Sequence, residues 1–142
     1  MSDEPSLTLQ RRINASPAKI FAAWTEPSQL VKWMHPNNND VIHAEMDVRV
    51  GGRFRIIMRA PGGEEHDVSG VFKEVAQDEK LVYTWAWRST PERESLVTFT
   101  LRQDGEFTLL TLKHEQFFDE TARDNHKSGW NEILDGLVRE FA

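Results

Sequence analysis

The sequence has no cysteine, no long apolar run and no excess of basic residues. Without cysteine, the chain forms no disulfide, no thiolate nucleophile and no cysteine-based zinc or iron–sulfur site. No apolar run approaches the length of a membrane span, and the acidic N-terminal residues lack the apolar core of a signal peptide. We therefore expect a cytoplasmic protein that does not insert into a membrane.

The charge balance limits the class of partner. Lys and Arg number 17 against 23 Asp and Glu, which gives a net charge of −6 with no basic block. Such a chain is poorly suited to nucleic acids or anionic membranes. Hydrophobic residues make up 39% of the 142 residues and charged residues 28%, an ordinary balance for a globular domain. The composition predicts one domain over residues 1–142 and no nucleic-acid partner.

The most informative segment is the last one, Ala122 to Phe141. Its apolar residues recur every three or four positions, at Trp130, Ile133, Leu134, Leu137, Val138 and Phe141. This spacing places them on one stripe of an α-helix. Because the segment follows a series of strand-like segments, we expect the stripe to be buried against a sheet. A helix laid along a curved sheet leaves a space between the two.

Alternating apolar and polar residues predict strands along most of the remaining chain. Two short helices are predicted after the first strand, one starting at Ser16-Pro17 and one at Glu26-Pro27. The strand-like segments are 7–13, 41–48, 53–59, 68–75, 81–87, 97–101 and 110–114. In segment 41–48 we expect Ile42, Ala44, Met46 and Val48 to share the apolar face. Hairpin-length turns and one apolar face per strand predict an α+β fold with an antiparallel sheet and helices on a single face.

An ordered set of short motifs resembles a known family. The motifs lie at 15–21, 33–34, 47–54, 70–75, 81–85, 97–101, 110–115 and 126–137. Together they resemble a stand-alone bacterial member of the activator of heat-shock-protein-90 ATPase-like family (AHSA-type). This family belongs to the SRPBCC superfamily of START-related and birch-pollen-allergen-like domains. The His35-Pro36-Asn37 loop departs from the family pattern, in which Gly-Pro is more common after the tryptophan.

The resemblance implies a helix-grip fold, in which a strongly bent antiparallel sheet wraps the long C-terminal helix and two short helices close one end. It also implies a cavity that binds an apolar or amphipathic small molecule. Some relatives are cyclases, aromatases or hydrolases, and the namesake branch binds a chaperone. One fold carries several functions, so the family alone does not decide the activity.

Side chains predicted to point between sheet and helix are the candidate ligand-binding residues. They are Trp33, Phe54, Ile56, Met58, Tyr83, Trp85, Phe99, His114, Trp130 and Leu134. The same residues would serve equally as ordinary core, because any such sheet needs apolar fillers. Gly129 and Gly136 flank the helical stripe, where they indicate either close packing or room for a ligand.

Histidines are the candidate polar groups. His114 is in phase with inward-facing residues of its strand, so it is a structural histidine, a group that binds the polar head of a ligand, or a general base. His126 precedes Trp130 by one turn, which places it near His114. The alternating row His43, Glu45 and Asp47 is more typical of a solvated face than of a metal site. We expect no metal and no cofactor.

Three functions remain open at this point. The first is binding of an apolar or aromatic small molecule in the cavity. The second is an enzyme of the cyclase or hydrolase type using His114 with Tyr83. The third is a chaperone-interacting module, which rests on family analogy and predicts a sizeable exposed apolar patch. The sequence leaves a homodimer undecided.

Overall fold

Seven antiparallel strands form one curled sheet in the computed structural model, which describes residues 4–142. The spatial order is β1-β7-β6-β5-β4-β3-β2, so β1 and β2 lie at opposite edges although they are consecutive in the chain. The strands are Leu7–Ile13 (β1), Asp40–Met46 (β2), Arg53–Arg59 (β3), Glu65–Ala76 (β4), Lys80–Trp87 (β5), Ser95–Asp104 (β6) and Phe107–Glu115 (β7). This curled half-barrel confirms the predicted α+β helix-grip fold.

Three α-helices accompany the sheet, namely Pro17–Thr25 (α1), Pro27–Trp33 (α2) and Glu120–Glu140 (α3). The Ser16 hydroxyl caps α1 by accepting the Lys19 backbone N–H at 3.3 Å. The Asp119 carboxylate caps α3 in the same way, at 2.8 Å from the Ala122 nitrogen. This cap explains why α3 begins two residues before the predicted start. Within residues 4–142, none of these helices combines the length and the apolar character needed to cross a bilayer.

The apolar stripe of α3 packs on inward-facing aromatic residues of the sheet. Trp130, Leu134 and Leu137 are buried. On the sheet, the buried rings are those of Phe54, Phe72, Tyr83, Trp85 and Phe99. The indole of Trp24 in α1 stacks parallel to that of Trp130, with ring centroids 6.0 Å apart. A buried ring contributes roughly 4–6 kcal/mol of gross transfer free energy, so this cluster is a large part of the core.

Gly70 allows the sharp curl between β4 and β5. A Cβ at this position would lie 1.8 Å from the Thr84 carbonyl oxygen and 2.6 Å from the Phe54 ring. The register of β4 on β5 then shifts between Phe72 and Glu74. A bulge beside a glycine bends the strand and increases its twist, which brings the sheet around α3.

The prediction was wrong for one residue of β2. Ile42 is 42% exposed, although its sequence phase placed it inward with Ala44 and Met46. The register of β2 on β3 shifts between Val41 and His43. This bulge adds one residue to β2, so Val41 and Ala44 pack against the core and Ile42 faces outward.

Candidate functional site

The space between the sheet and α3 has a wide open part and a narrow part. The open part is a cavity of about 940 Å³ between the first half of α3, the ends of β3, β4 and β5, and residues 36–39. The narrow part lies between Trp130 and Phe54 and leaves about 10 Å³, which is near the space of one water molecule. Ligand sites usually measure about 300–1,000 Å³, so only the open part accommodates a small molecule.

Apolar and polar residues share the wall of the open cavity. From the sheet, Met58, His66, Trp85 and Trp87 face the helix, because they share the phase of buried Ile56 and Val68. From α3 and from residues 36–39, which connect α2 to β2, the lining residues are Pro36, Asn37, Asn39, Asn125, His126, Gly129, Trp130 and Ile133. The polar groups among them are amides and imidazoles, which carry no formal charge when the histidines are neutral.

Four charged residues also border the cavity, namely Arg55, Glu65 and Asp67 of the sheet and Arg88, which directly follows β5. The three on the sheet alternate with the helix-facing residues along their strands, so their side chains leave the sheet on the other face. There the Arg55 guanidinium donates two hydrogen bonds to the Asp67 carboxylate, at 3.1 and 2.7 Å. The hydrogen bond from Arg55 lowers the pKa of Asp67, against the opposing effect of burial. These charges are therefore paired on the outer face of the sheet.

Residues 36–39 close one side of the cavity. Asn37 and Asn38 adopt positive φ angles of 54° and 61°, which asparagine tolerates better than most residues. The Asn37 backbone N–H donates to the Glu132 carboxylate on α3. His35 Nδ1 hydrogen-bonds the Asn39 carbonyl at 3.0 Å. The loop that departs from the family pattern is thus attached to α3 and forms part of the cavity wall.

The two glycines of α3 have different surroundings. A Cβ on Gly136 would lie 2.5 Å from the Trp33 carbonyl oxygen, so this glycine allows α3 to approach the end of α2. A Cβ on Gly129 would have no neighbour within 4 Å. Gly129 lines the open cavity. Close packing therefore explains Gly136, and free space surrounds Gly129.

His126 is the polar centre of the cavity wall. Its Nε2 accepts the indole N–H of Trp87 at 2.9 Å and that of Trp85 at 3.3 Å. Its Nδ1 donates to the Ala122 carbonyl at 2.7 Å. Because an indole only donates, this imidazole is neutral and carries its proton on Nδ1. Burial lowers the pKa of His126, and the hydrogen bond to the Ala122 carbonyl acts in the opposite direction.

His114 lies behind this wall and is completely buried. Its Nδ1 accepts the indole N–H of Trp130 at 2.9 Å, so its Nε2 carries the proton and donates to the Ser95 hydroxyl at 2.6 Å. That hydroxyl donates in turn to the Trp85 carbonyl at 3.2 Å. Burial lowers the pKa of His114 well below its usual range, and His126 acts in the same direction. Through these hydrogen bonds the neutral His114 links β7 to α3, to β6 and, by way of Ser95, to β5.

Tyr83 is likewise enclosed in the core. Its phenol is buried, and burial raises its pKa, while a hydrogen bond with Trp24 acts in the opposite direction. Tyr83 borders the narrow space, and neither Tyr83 nor His114 lines the open cavity. The two groups considered for catalysis are thus both separated from the space that a substrate would occupy.

The structure distributes the ten candidate ligand-binding residues over three places. Met58, Trp85 and Trp130 line the open cavity. Phe54, Ile56 and Tyr83 border the narrow space. The others belong to the packed core outside both spaces, namely Trp33, Phe99, His114 and Leu134.

Sequence reasoning did not assign Trp87, His126 or Gly129 to the lining. Two signals pointed to them: the alternation of β5 continues to Trp87, and His126 and Gly129 lie within two turns of Trp130 on α3.

No three histidine, aspartate or glutamate side chains between residues 4 and 142 are placed to hold a metal ion. The alternating row His43, Glu45 and Asp47 contains one exposed pair, in which His43 Nε2 lies 3.2 Å from the Glu45 carboxylate. These side chains lie on solvent-exposed positions of β2. The open cavity therefore remains the candidate site.

A curled antiparallel sheet that encloses a C-terminal helix, with a cavity between them, defines the helix-grip class of proteins. Within this class, the family model for activator of Hsp90 ATPase homolog 1-like proteins matches residues 14–142. The chain belongs to this family, which confirms the resemblance seen in the sequence. No curated protein matches the chain significantly.

Solved structures share the fold over nearly the whole chain. A protein from Chromobacterium violaceum is 25% identical, with a TM-score of 0.86 and coverage of 96% of this chain and 97% of that one. A protein of the same family from Silicibacter pomeroyi is 27% identical, with a TM-score of 0.84 and coverage of 96% of both chains. A protein from Mycobacterium smegmatis, at 18% identity and a TM-score of 0.79, covers 99% of this chain and 93% of its own, and shows the fold alone.

Proposed function

We propose that this protein binds an apolar or amphipathic small molecule in the open cavity. The observation that carries the proposal is the size and wall of this space, about 940 Å³ bordered by Met58, Trp85, Trp87 and Trp130. A concave wall that combines aromatic side chains with convergent polar groups is typical of ligand sites, and it suits an amphipathic ligand. The indole rings offer wide, flat contact surfaces, which favour a flat ligand.

Gly129 supports the proposal independently of the wall. Glycine costs about 1 kcal/mol relative to alanine inside a helix. No neighbour within 4 Å requires its lack of a side chain. A side chain larger than that of alanine at this position would extend into the cavity, so the glycine leaves this side of the cavity free.

The proposal is tested by titrating the purified protein with a panel of fatty acids and flat aromatic compounds. A ligand present at 100 times its Kd should stabilise the fold by about 2.7 kcal/mol, which raises the Tm by about 10 °C for a chain of this length. Native mass spectrometry of freshly purified protein would show a small molecule that co-purifies. If no compound of the panel shifts the Tm and no molecule co-purifies, the proposal fails.

A matched pair of variants locates the binding site. Gly129→Phe should place a ring in the cavity and weaken binding by at least about tenfold, since a clash worth 1.4 kcal/mol already has that effect. Gly129→Ala adds one methyl group where no atom lies within 4 Å. It should therefore bind nearly as well as the wild type. Equal binding by all three proteins would place the ligand elsewhere.

The structure favours this function over both alternatives. A catalyst using His114 and Tyr83 would need a substrate to reach groups that do not line the open cavity. A chaperone-binding module would need a sizeable apolar patch. The large exposed apolar residues between residues 4 and 142 are Ile42, Val50 and Phe118, which belong to three separate segments.

A further inference from the structure

The cluster of Trp85, Trp87 and His126 has more hydrogen-bond donors than acceptors. Both indole N–H groups point at His126 Nε2, at 3.3 and 2.9 Å. An imidazole nitrogen of this kind has one lone pair, so the two donors share a single acceptor. The imidazole's other nitrogen is engaged with the Ala122 carbonyl at 2.7 Å and offers no second acceptor.

We propose that this cluster recognises a carbonyl oxygen on an uncharged, flat ligand, an inference that rests on the proposed function of the cavity. The ligand oxygen accepts the N–H of Trp87, which is only partly buried and lines the cavity. The Trp85 N–H is then the single donor to His126 Nε2. In the structure both indoles donate to His126, and with the carbonyl bound each indole has its own acceptor. Neither N–H is therefore left without an acceptor, with or without the ligand.

The surplus of donors determines which polar group fits. A ligand carbonyl supplies the missing acceptor, whereas a ligand that only donates would compete with two indoles for the same lone pair. Among the charged residues that border the cavity, Arg55, Glu65 and Asp67 occupy outward-facing positions of their strands, and Arg88 Nη1 lies 3.9 Å from the Asp67 carboxylate. A ligand carboxylate would therefore enter without a cationic partner there, which is costly. The site accordingly selects a ketone, quinone, lactam or ester.

Two nearly isosteric probes test this assignment, 2-acetylnaphthalene and 2-isopropylnaphthalene. They share the same flat ring system and differ in the carbonyl oxygen. Their affinities are measured by ligand-observed NMR or calorimetry. The wild type should prefer the ketone by about five- to tenfold, as expected for one hydrogen bond formed inside a cavity.

Trp87→Phe is the decisive variant, because it keeps an aromatic ring and removes the N–H. It leaves the Trp85 N–H paired with His126, so no buried group loses its partner. The ratio of ketone to hydrocarbon affinity should fall below about twofold, because the smaller ring reduces the contact area for both probes alike while only the ketone loses a hydrogen bond. The control is Trp33→Phe, whose N–H donates to the Ala23 carbonyl at 3.0 Å, away from the cavity. This control should keep the preference, and a Tm for each variant verifies that it is folded.

The outcomes separate the two proposals. If both probes bind the wild type equally, or if the preference survives in Trp87→Phe, the carbonyl assignment is overturned while the cavity remains a binding site. Tighter binding of 2-naphthoate than of the ketone would overturn the requirement for an uncharged ligand. If neither neutral probe binds and the broader panel also fails, the proposed function fails, and this inference fails with it.

Discussion

The two halves of α3 face the same sheet but make different contacts with it. From Trp130 to Leu137 the helix buries an apolar stripe, and the narrow space beside Trp130 is about 10 Å³. From Glu120 to Gly129 no residue is fully buried, and a cavity of about 940 Å³ lies beside this half. A polar helical segment cannot form a dry core. The difference shows that the position at which the apolar stripe begins decides where the fold is packed and where it is open.

The two histidines show the same difference at the level of hydrogen bonds. His114, in the packed half, has a separate partner for each ring nitrogen, Trp130 and Ser95. His126, at the edge of the cavity, shares one nitrogen between two indoles. The ring centroids of the two histidines are 5.1 Å apart. Complete pairing is thus typical of the closed half, and an incomplete, shared arrangement borders the open half.

The largest expected effect comes from shortening a side chain in the packed half. Leu134→Ala should lower the free energy of unfolding by about 2–5 kcal/mol, because Leu134 is fully buried and its removal leaves a void. Ile133→Ala, one residue earlier and on the cavity wall, should cost at most about half as much, since part of its surroundings is already open. Urea unfolding at constant pH measures both. Equal losses would show that the helix is packed as tightly at the cavity wall, at Ile133, as in the core at Leu134.

The close approach of α3 to α2 should make Gly136 intolerant of a side chain. Gly136→Ala places a Cβ 2.5 Å from the Trp33 carbonyl oxygen, a backbone atom that cannot rotate away. We expect a loss of about 1–3 kcal/mol, despite the higher helix propensity of alanine. The measurement is again urea unfolding. An unchanged or higher stability would mean that this half is less tightly packed than its buried surface indicates.

Acidification should destabilise the protein through the two neutral histidines. Burial lowers the pKa of His114 and of His126 below the ordinary value of 6.5. Below about pH 6.5 the unfolded chain therefore binds protons that the folded chain does not. The free energy of unfolding should be constant above that pH and fall below it, by up to about 1.4 kcal/mol per pH unit for each histidine.

Urea unfolding at pH 7.5, 6.5 and 5.5 tests this dependence. Asp67 does not interfere in this range, because its pKa is lowered from 3.8 and its effect on stability appears only in stronger acid. His126→Gln removes one of the two titrating groups and should reduce the slope between pH 6.5 and 5.5. A stability independent of pH over the whole range would contradict the neutral, buried state of His114.

The sequence predicted the packed half better than the open half. The three- and four-residue spacing from Trp130 to Phe141 and the alternation in the strands depend on local periodicity, which one sequence displays directly. The bulge at Val41 and His43 does not follow from that periodicity, because the extra residue is decided by pairing with β3. For this reason Ile42 was assigned to the wrong face.

The candidate site was predicted only in part, for a related reason. Periodicity identifies the residues that point inward, but it does not distinguish those that touch one another from those that border a space. Trp85 and Phe99 have the same phase in their strands, yet only Trp85 lines the cavity. Whether the cavity is open depends on the distance between α3 and the sheet, which is set by contacts remote in the sequence, such as that of Gly136 with Trp33.

The smallest expected effect is a gain of stability in the open half. Gly129→Ala should raise the free energy of unfolding by up to about 1 kcal/mol, because alanine is the better helix former and its Cβ meets no atom within 4 Å. Urea unfolding of this variant beside Gly136→Ala compares the same substitution in the two halves of one helix. We expect Gly129→Ala to raise the free energy of unfolding and Gly136→Ala to lower it. If both variants lose stability, the surroundings of Gly129 must be as close as the Trp33 carbonyl is to Gly136, and the contrast between a packed and an open half would no longer hold.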